Sequence, residues 1–231
     1  MSVFTFHLAE CGVSQTLRAL ANSPIPDSVS GLVHAECLVP MMLGRPVAWP
    51  WRYRPHQIAM FGVWKNENAI DDFLQTDRLG RTLDRGWHVR MEFVRRWGHV
   101  RALADLPETA MRLDDDQPVV AVTLARLRVT QAFRFIRWGK PVEEQVRDDP
   151  ATTMALAAMR PIGTLATFSI WRTQRALIDM VHGRTQVPAG DRHAKAMQER
   201  NRKDFHHEFT TMRFRPISEH GRWQGQTRYL P

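Results

Sequence analysis

The chain has 231 residues and a mass of 26.7 kDa, and 43% of its residues are hydrophobic, enough apolar material to fill the core of one large domain or two small ones and to exclude disorder as its main state. Lys+Arg 32 against Asp+Glu 24 gives a net charge of +8, but the cations are spread along the chain with no basic tail or block; a solvated surface accounts for them and nucleic acid is discounted as a partner. Two cysteines, Cys11 and Cys37, exclude a thiolate zinc site and a disulfide framework and point to a reducing, cytoplasmic setting, and no segment approaches the ~18 uninterrupted apolar residues of a spanning helix, which leaves peripheral membrane contact open.

In chain order, residues 4–8 read as a strand, 13–21 as a helix, 32–40 as an extended segment and 58–64 as a β-rich strand ending in tryptophan. An amphipathic helix follows, and a strand at 89–97 closes the first half. The polar segment 105–118, with Asp114, Asp115 and Asp116, reads as a solvated linker. The pattern then recurs: a strand at 119–127, a helix at 130–138, an extended segment at 152–159, a strand at 165–171, an amphipathic helix from about Thr173, a short helix bearing His193, and a strand at 209–214.

The recurrence extends to residue identity. Leu8, Ala9 and then Val13, Ser14, Gln15, Thr16 align without a gap on Leu124, Ala125 and then Val129, Thr130, Gln131, Ala132; Phe61, Gly62, Val63, Trp64 align on Phe168, Ser169, Ile170, Trp171. Each half has the order βαββαβ, the ferredoxin-like plan, whose sheet carries its helices on one face and must bury the other. The fold class expected is therefore α+β: two ferredoxin-like repeats, residues 1–108 and 117–231, fused in one chain with their sheets packed together as a dimeric α/β-barrel-type fold. That barrel needs no second subunit, and further oligomerisation is left open.

The halves differ where Arg78, Leu79, Gly80 of the first align on Arg192, His193, Ala194 of the second: only the second copy has a histidine, and an insertion at 183–190 precedes it. No His-x-x-x-His or Glu-x-x-His spacing supports a multi-histidine metal site. His7 and His34 fall in strands, His206 and His207 begin the last strand, and His220 is placed in a turn at 218–221. Arg126 and Arg128, two apart on one strand, are expected to share a face, either the barrel interior or a solvated outer stripe. The Pro-rich loop 40–55, with Met41, Met42, Trp49 and Trp51, reads either as a lid over an apolar channel or as a satellite cluster outside the barrel.

Four ordered motifs carry a resemblance. Ala121, Val122, Thr123, Leu124, Ala125, Arg126, then Thr167 through Trp171, then His193, Ala194, Lys195, Ala196, and last Phe214 through Ser218 with Gly221, Arg222, Trp223, Gln224, Gly225, resemble in turn the first strand, third strand, His-Ala-x-Ala helix and Gly-x-Trp-x-Gly tail of the spheroidene monooxygenase family. In the first half Met41, Met42, Leu43, Gly44 and the stretch from Pro50 to Trp64 are similar too. The sequence departs from that pattern at Ala125-Arg126, where the family has Thr-Arg, and at Lys203, Asp204, Phe205, where a Gly-Trp-Phe segment is expected.

The resemblance implies a heme b enzyme of monooxygenase type, acting on a hydrophobic small molecule with electrons from an external donor such as a ferredoxin; in the family the substrate is an acyclic carotenoid. With the repeat asymmetry it makes His193 the iron ligand, assigns Arg126 and Arg128 to the heme propionates and Arg126 to the catalytic distal side, and leaves the first half structural. Other heme chemistry, such as aldoxime dehydration or peroxidation, and a non-catalytic barrel that carries heme or another apolar ligand are the alternatives.

Overall fold

A computed structural model describes residues 2–161, 163–185 and 190–231. The first half comprises β1 (Val3–Glu10), α1 (Val13–Ala21), β2 (Leu32–Met41), β3 (Gln57–Trp64), α2 (Glu67–Thr76), α3 (Arg78–Asp84) and β4 (Trp87–His99). The second comprises β5 (Val119–Leu127), α4 (Ala132–Asp148), β6 (Thr152–Arg160), β7 (Thr164–Trp171), α5 (Gln174–Val181), α6 (Arg192–Arg202) and β8 (His206–Gly221). The strands close into a barrel in the order β1-β3-β2-β6-β7-β5-β8-β4, so each half contributes a ferredoxin-like sheet and the two sheets join at both edges. The α+β fused-repeat fold is thus the fold of the chain, and among the described residues no helix is long and apolar enough to cross a membrane.

Strand alternation divides the apolar residues between two layers. Phe4, Phe6, Leu8, Phe61, Met91, Val122, Leu124, Phe168, Ile170 and Phe214 point inward and fill the barrel, with Phe6 and Phe168 stacked across it at a centroid distance of 4.1 Å. Residues of opposite parity, such as Met60 and Trp64 in the first half and Val119 and Trp171 in the second, point outward under the helices. The barrel is therefore a packed core rather than a chamber, and ligand space must be sought at its mouths or under its helices.

The repeat conserves a buried indole hydrogen bond by exchanging its acceptor between neighbouring strands. Trp64 Nε1 donates to Thr5 Oγ1 at 2.8 Å, while Trp171 Nε1 donates to Ser169 Oγ at 2.8 Å. Thr5 lies opposite Gly62, and Ala121 lies opposite Ser169, so one hydroxyl per pair serves each indole. Gly62 has to be small: a Cβ there would stand 2.6 Å from Trp64 Nε1 and 2.7 Å from Thr5 Oγ1.

Several expectations are corrected. The segment 105–118 is no free linker: Leu106 packs on the barrel core, Leu113 is buried beside Trp171, and the backbone carbonyls of Asp115 and Gln117 receive the Arg175 and Gln174 amides at the start of α5. The second-half helix runs on from residue 138 to Asp148, through Pro141, which removes only one ladder donor. His220 lies in β8 rather than a turn, paired with His88 of β4. The Pro-rich loop is docked outside the barrel on α4. The buried Arg52 grips Glu143 through both guanidinium nitrogens, at 2.9 and 2.6 Å, and Trp49 and Trp51 are exposed, which fits the satellite cluster and not the lid.

The two seams that join the sheets are unlike. β4 pairs with β8 along nearly its whole length, from Trp87↔Gly221 to His99↔Phe209. β2 pairs with β6 only from Val39↔Met159 to Met41↔Ala157, so the first half of β2 has β3 as its one strand neighbour.

Candidate functional site

The helix-covered faces of the two sheets can be compared position by position, because the registers correspond. In the first half His7 stands opposite Met60 and His88 on the flanking strands. In the second, Thr123 stands opposite Thr167 and Thr211. His7, Met60 and His88 are buried beneath the helices, with the His7 and His88 rings stacked at 4.8 Å. Thr167, on a strand with neighbours on both sides, is exposed, and Thr123 and Thr211 are half-buried, their hydroxyls 3.1 Å apart. A mid-sheet side chain meets solvent only where the layer above it stands away, so three small residues in place of three large ones mark a cleft under the second-half helices.

Those helices confirm the opening from their side. α1, the counterpart of α4, buries Thr16, Ala19 and Leu20, whereas the only fully buried residue of α4 is Gln145, and Phe135, Ile136, Trp138 and Val142 remain half-buried. The fully buried residue of α6 is Ala196. Gly80 explains the contrast in helix spacing: α3 passes so close to α2 that a Cβ on Gly80 would stand 1.9 Å from the Phe73 carbonyl oxygen. Its counterpart is Ala194, whose methyl does not permit that approach.

His193 occupies the first turn of α6, on the same helix face as Ala196, Met197 and Arg200 by its i+3, i+4 and i+7 spacing. Ala196 is buried, and the Arg200 guanidinium lies 3.8 Å over the Phe209 ring of β8, so this is the face turned toward the sheet. Gln145 of α4 fixes the turn: its Oε1 accepts the His193 amide at 2.9 Å, and its Nε2 donates to the Gly190 carbonyl at 2.5 Å. The His193 ring places Nδ1 3.1 Å from the Val181 carbonyl at the end of α5, an arrangement in which Nδ1–H donates and the Nε2 lone pair is left over. Burial holds the imidazole below its usual pKa; the Val181 carbonyl opposes that shift and His182 adds to it. Among the described residues Nε2 has no hydrogen-bond partner.

Arg126 and Arg128 are separated from each other and, for Arg126, from His193. Arg126 continues the inward parity of Val120, Val122 and Leu124, and its guanidinium reaches Glu208 at 3.0 Å, Thr164 at 3.1 Å and Glu36 at 3.7 Å. The β5 register shifts after Arg126, and Arg128 lies beyond the strand end, exposed, with Nε donating to the His206 carbonyl at 2.9 Å. The expectation that they share a face therefore fails. Arg126 is at the barrel mouth, on the opposite side of the sheet from α6. Arg128 is beside the aromatic cluster of Phe135, Phe205, His206 and Phe209, where burial lowers the His206 pKa to about 4.

Arg126 also borders a second concavity, of about 820 Å³, lined from α1 and the segment after it, β2, α3 and Arg160. Glu36 and His34 face it from β2. Neither Glu36 nor the threonine row was singled out from sequence. Each had a signal: a lone carboxylate in the apolar run 32–40, and His7/Thr123 and Met60/Thr167 adjoining the aligned repeat blocks.

No protein-family model and no curated protein matches the sequence. Among solved structures, a Fusobacterium nucleatum protein provisionally named a monooxygenase is 7% identical over 100% of this chain and 98% of its own, with a TM-score of 0.41. A ferredoxin-fold protein related to antibiotic biosynthesis monooxygenases, from Listeria monocytogenes, is 10% identical over 94% and 96%, TM-score 0.33. The heme-degrading enzyme of Listeria monocytogenes is 9% identical over 90% and 98%, TM-score 0.29. The fold assignment rests on the strand order and not on these likenesses.

Proposed function

We propose that the chain is a heme-dependent oxidoreductase of monooxygenase type, with heme b between the second-half sheet and helices α4 and α6, an apolar small molecule as substrate and an external electron donor. The observation that carries this reading is the cleft itself: a floor of Thr123, Thr167 and Thr211 where the sister repeat is filled by His7, Met60 and His88, with a one-sided histidine on the helix above it.

The residues present fit a porphyrin. His193 is held neutral by burial, its Nδ1–H is taken by a backbone carbonyl, and Nε2 keeps the lone pair that a metal requires. The half-buried Phe135, Ile136, Trp138 and Val142 of α4 offer an apolar wall, and Arg128, with its terminal guanidinium nitrogens unpaired among the described residues, offers a carboxylate partner at the mouth. Bound heme would supply the oxygen-activating iron. The protein's own part is to hold the ring between an apolar wall and a hydroxyl-lined floor, to keep His193 in one tautomer through Val181, and to keep α6 in place through Gln145. Arg126, across the sheet, has no part at the iron in this reading.

Heme titration followed by the visible spectrum tests it. One heme per chain with a Soret band is expected; His193→Ala loses the band or converts it to that of weakly held heme, and Thr167→Met, which refills the cleft, reduces occupancy without touching His193. An unchanged spectrum in His193→Ala, with loss in His34→Ala, would move the ligand to the other concavity.

A further inference from the structure

The short seam between β2 and β6 opens onto the 820 Å³ concavity, and the charged groups there are gathered without being closed on one another. The Glu36 side chain is 5% exposed and its Oε1 has no hydrogen-bond partner among the described residues. The guanidiniums of Arg126 and Arg160 each stand 3.7 Å from a Glu36 oxygen, beyond direct hydrogen bonding, and His34 Nε2 is also at 3.7 Å. The same chain shows what a closed pair looks like: Arg52 and Glu143 meet at 2.6 and 2.9 Å. Arg126 and Arg160 are thus two forks held apart around one carboxylate.

Charge and shape define what would complete the arrangement. Arg18, Arg78, Arg126 and Arg160 border the concavity against Glu36 and Asp77. The Asp77 carboxylate is already engaged by the Leu79 and Gly80 amides at the start of α3, and Glu208, outside the lining, pairs with Arg126. One positive charge is left over. Beside Gln15, Asn22, Ser23 and Ser28, the remaining wall is apolar, with Ala19, Ile25, Pro26, Val29 and Leu79. We infer that this seam binds a small amphipathic monocarboxylate, its head between Arg126 and Arg160 and its apolar body along Ile25, Pro26 and Leu79. Glu36 holds the two forks in place in the free protein and competes with the ligand head for them. The head lies at the barrel mouth and the apolar wall is formed by first-half residues, so the site shares no lining residue with the proposed heme cleft.

Decanoate serves as the probe, with decanol and decylamine as controls, by isothermal titration calorimetry on the full chain. Saturable one-to-one binding of decanoate is expected, more than tenfold tighter than either control. Arg160→Gln, at a half-exposed position that the fold tolerates, weakens it more than tenfold, Arg160→Lys weakens it less, and Glu36→Gln strengthens it. His193→Ala leaves decanoate binding unchanged, and Arg160→Gln leaves heme binding unchanged, so failure of this proposal and of the heme reading are distinguishable. Equal binding of decanol and decanoate, indifference to Arg160→Gln, or weaker binding in a folded Glu36→Gln protein would overturn the assignment. Displacement of decanoate by heme would overturn it as a separate site.

Discussion

The two repeats share a fold, a register and a tryptophan-ended third strand, yet their helix-covered faces behave oppositely. In the first, His7, Met60 and His88 are buried beneath α1, α2 and α3, and Gly80 lets α3 rest on the α2 backbone. In the second, threonines take those three places and Ala194 takes the glycine's, and Thr167 is exposed in the middle of a sheet. Duplication supplied two equivalent helix–sheet interfaces; side-chain volume at four positions made one a core and the other a cleft. Stability and ligand capacity are alternative uses of the same layer, because a filled interface contributes dispersion and apolar burial that an open one forgoes.

That contrast can be broken by exchanging residues between the halves. Met60→Thr creates a cavity and buries a hydroxyl, and is expected to cost about 3–4 kcal/mol in urea denaturation. Thr167→Met at the matching place is expected to leave stability equal or raised, while reducing heme occupancy. Equal losses in the two variants would mean that the second-half helices already pack as tightly as the first.

Acid should act mainly where the histidines are buried. Burial and the nearby His220 and Arg90 lower the His88 pKa to about 3, burial with His88 and Arg90 lowers that of His7, and His206 is lowered to about 4. Each takes up a proton more readily when unfolded, near pH 6.5, than when folded. The stability of the neutral forms is therefore full above pH 6.5 and is lost as pH falls toward the folded values, at roughly 1.4 kcal/mol per pH unit for each group. Denaturation midpoints between pH 7 and pH 4 measure that slope, and His88→Phe should flatten it; an unchanged slope would show that the stacked histidines are not its source.

Gly80→Ala sharpens the comparison of helix spacing. The added methyl meets the Phe73 carbonyl, and a loss of about 2–3 kcal/mol is expected, against less than about 1 kcal/mol for Ala194→Gly, which pays only helix propensity. Thermal denaturation of the pair decides whether the closeness of α3 to α2 is as demanding as the geometry implies. A smaller effect than that of Gly80→Ala is expected from Ser169→Ala. It removes the acceptor of the Trp171 indole N–H and should cost about 1–2 kcal/mol; restoring the arrangement of the first half takes Ser169→Gly together with Ala121→Thr.

Much of the fold could be read from the chain. The pairs Leu8/Leu124 and Phe61–Trp64/Phe168–Trp171, with the order βαββαβ in each half, were enough for two sheets that must bury their apolar faces on each other, because strand alternation and helical spacing are local properties of sequence. His193 stood out for the same reason: an aligned repeat exposes a single unlike residue. Arg126 and Arg128 show the limit. Spacing of two places residues on one face only while the strand continues, and the β5 register shifts after Arg126. The exposure of Trp49 and Trp51 depends on Arg52 finding Glu143, 91 positions away, which no local pattern announces.

The sequence by itself determined the duplicated α+β plan, the inward and outward faces of the strands, and the asymmetry at Leu79 and His193, since each follows from the periodicity of neighbouring residues. Only the tertiary structure decided that the barrel interior is filled, that one seam runs the length of its strands while the other opens beside Glu36, and that Thr123, Thr167 and Thr211 meet in a row. Those outcomes depend on which distant side chains come into contact and on the space their combined volumes leave between layers.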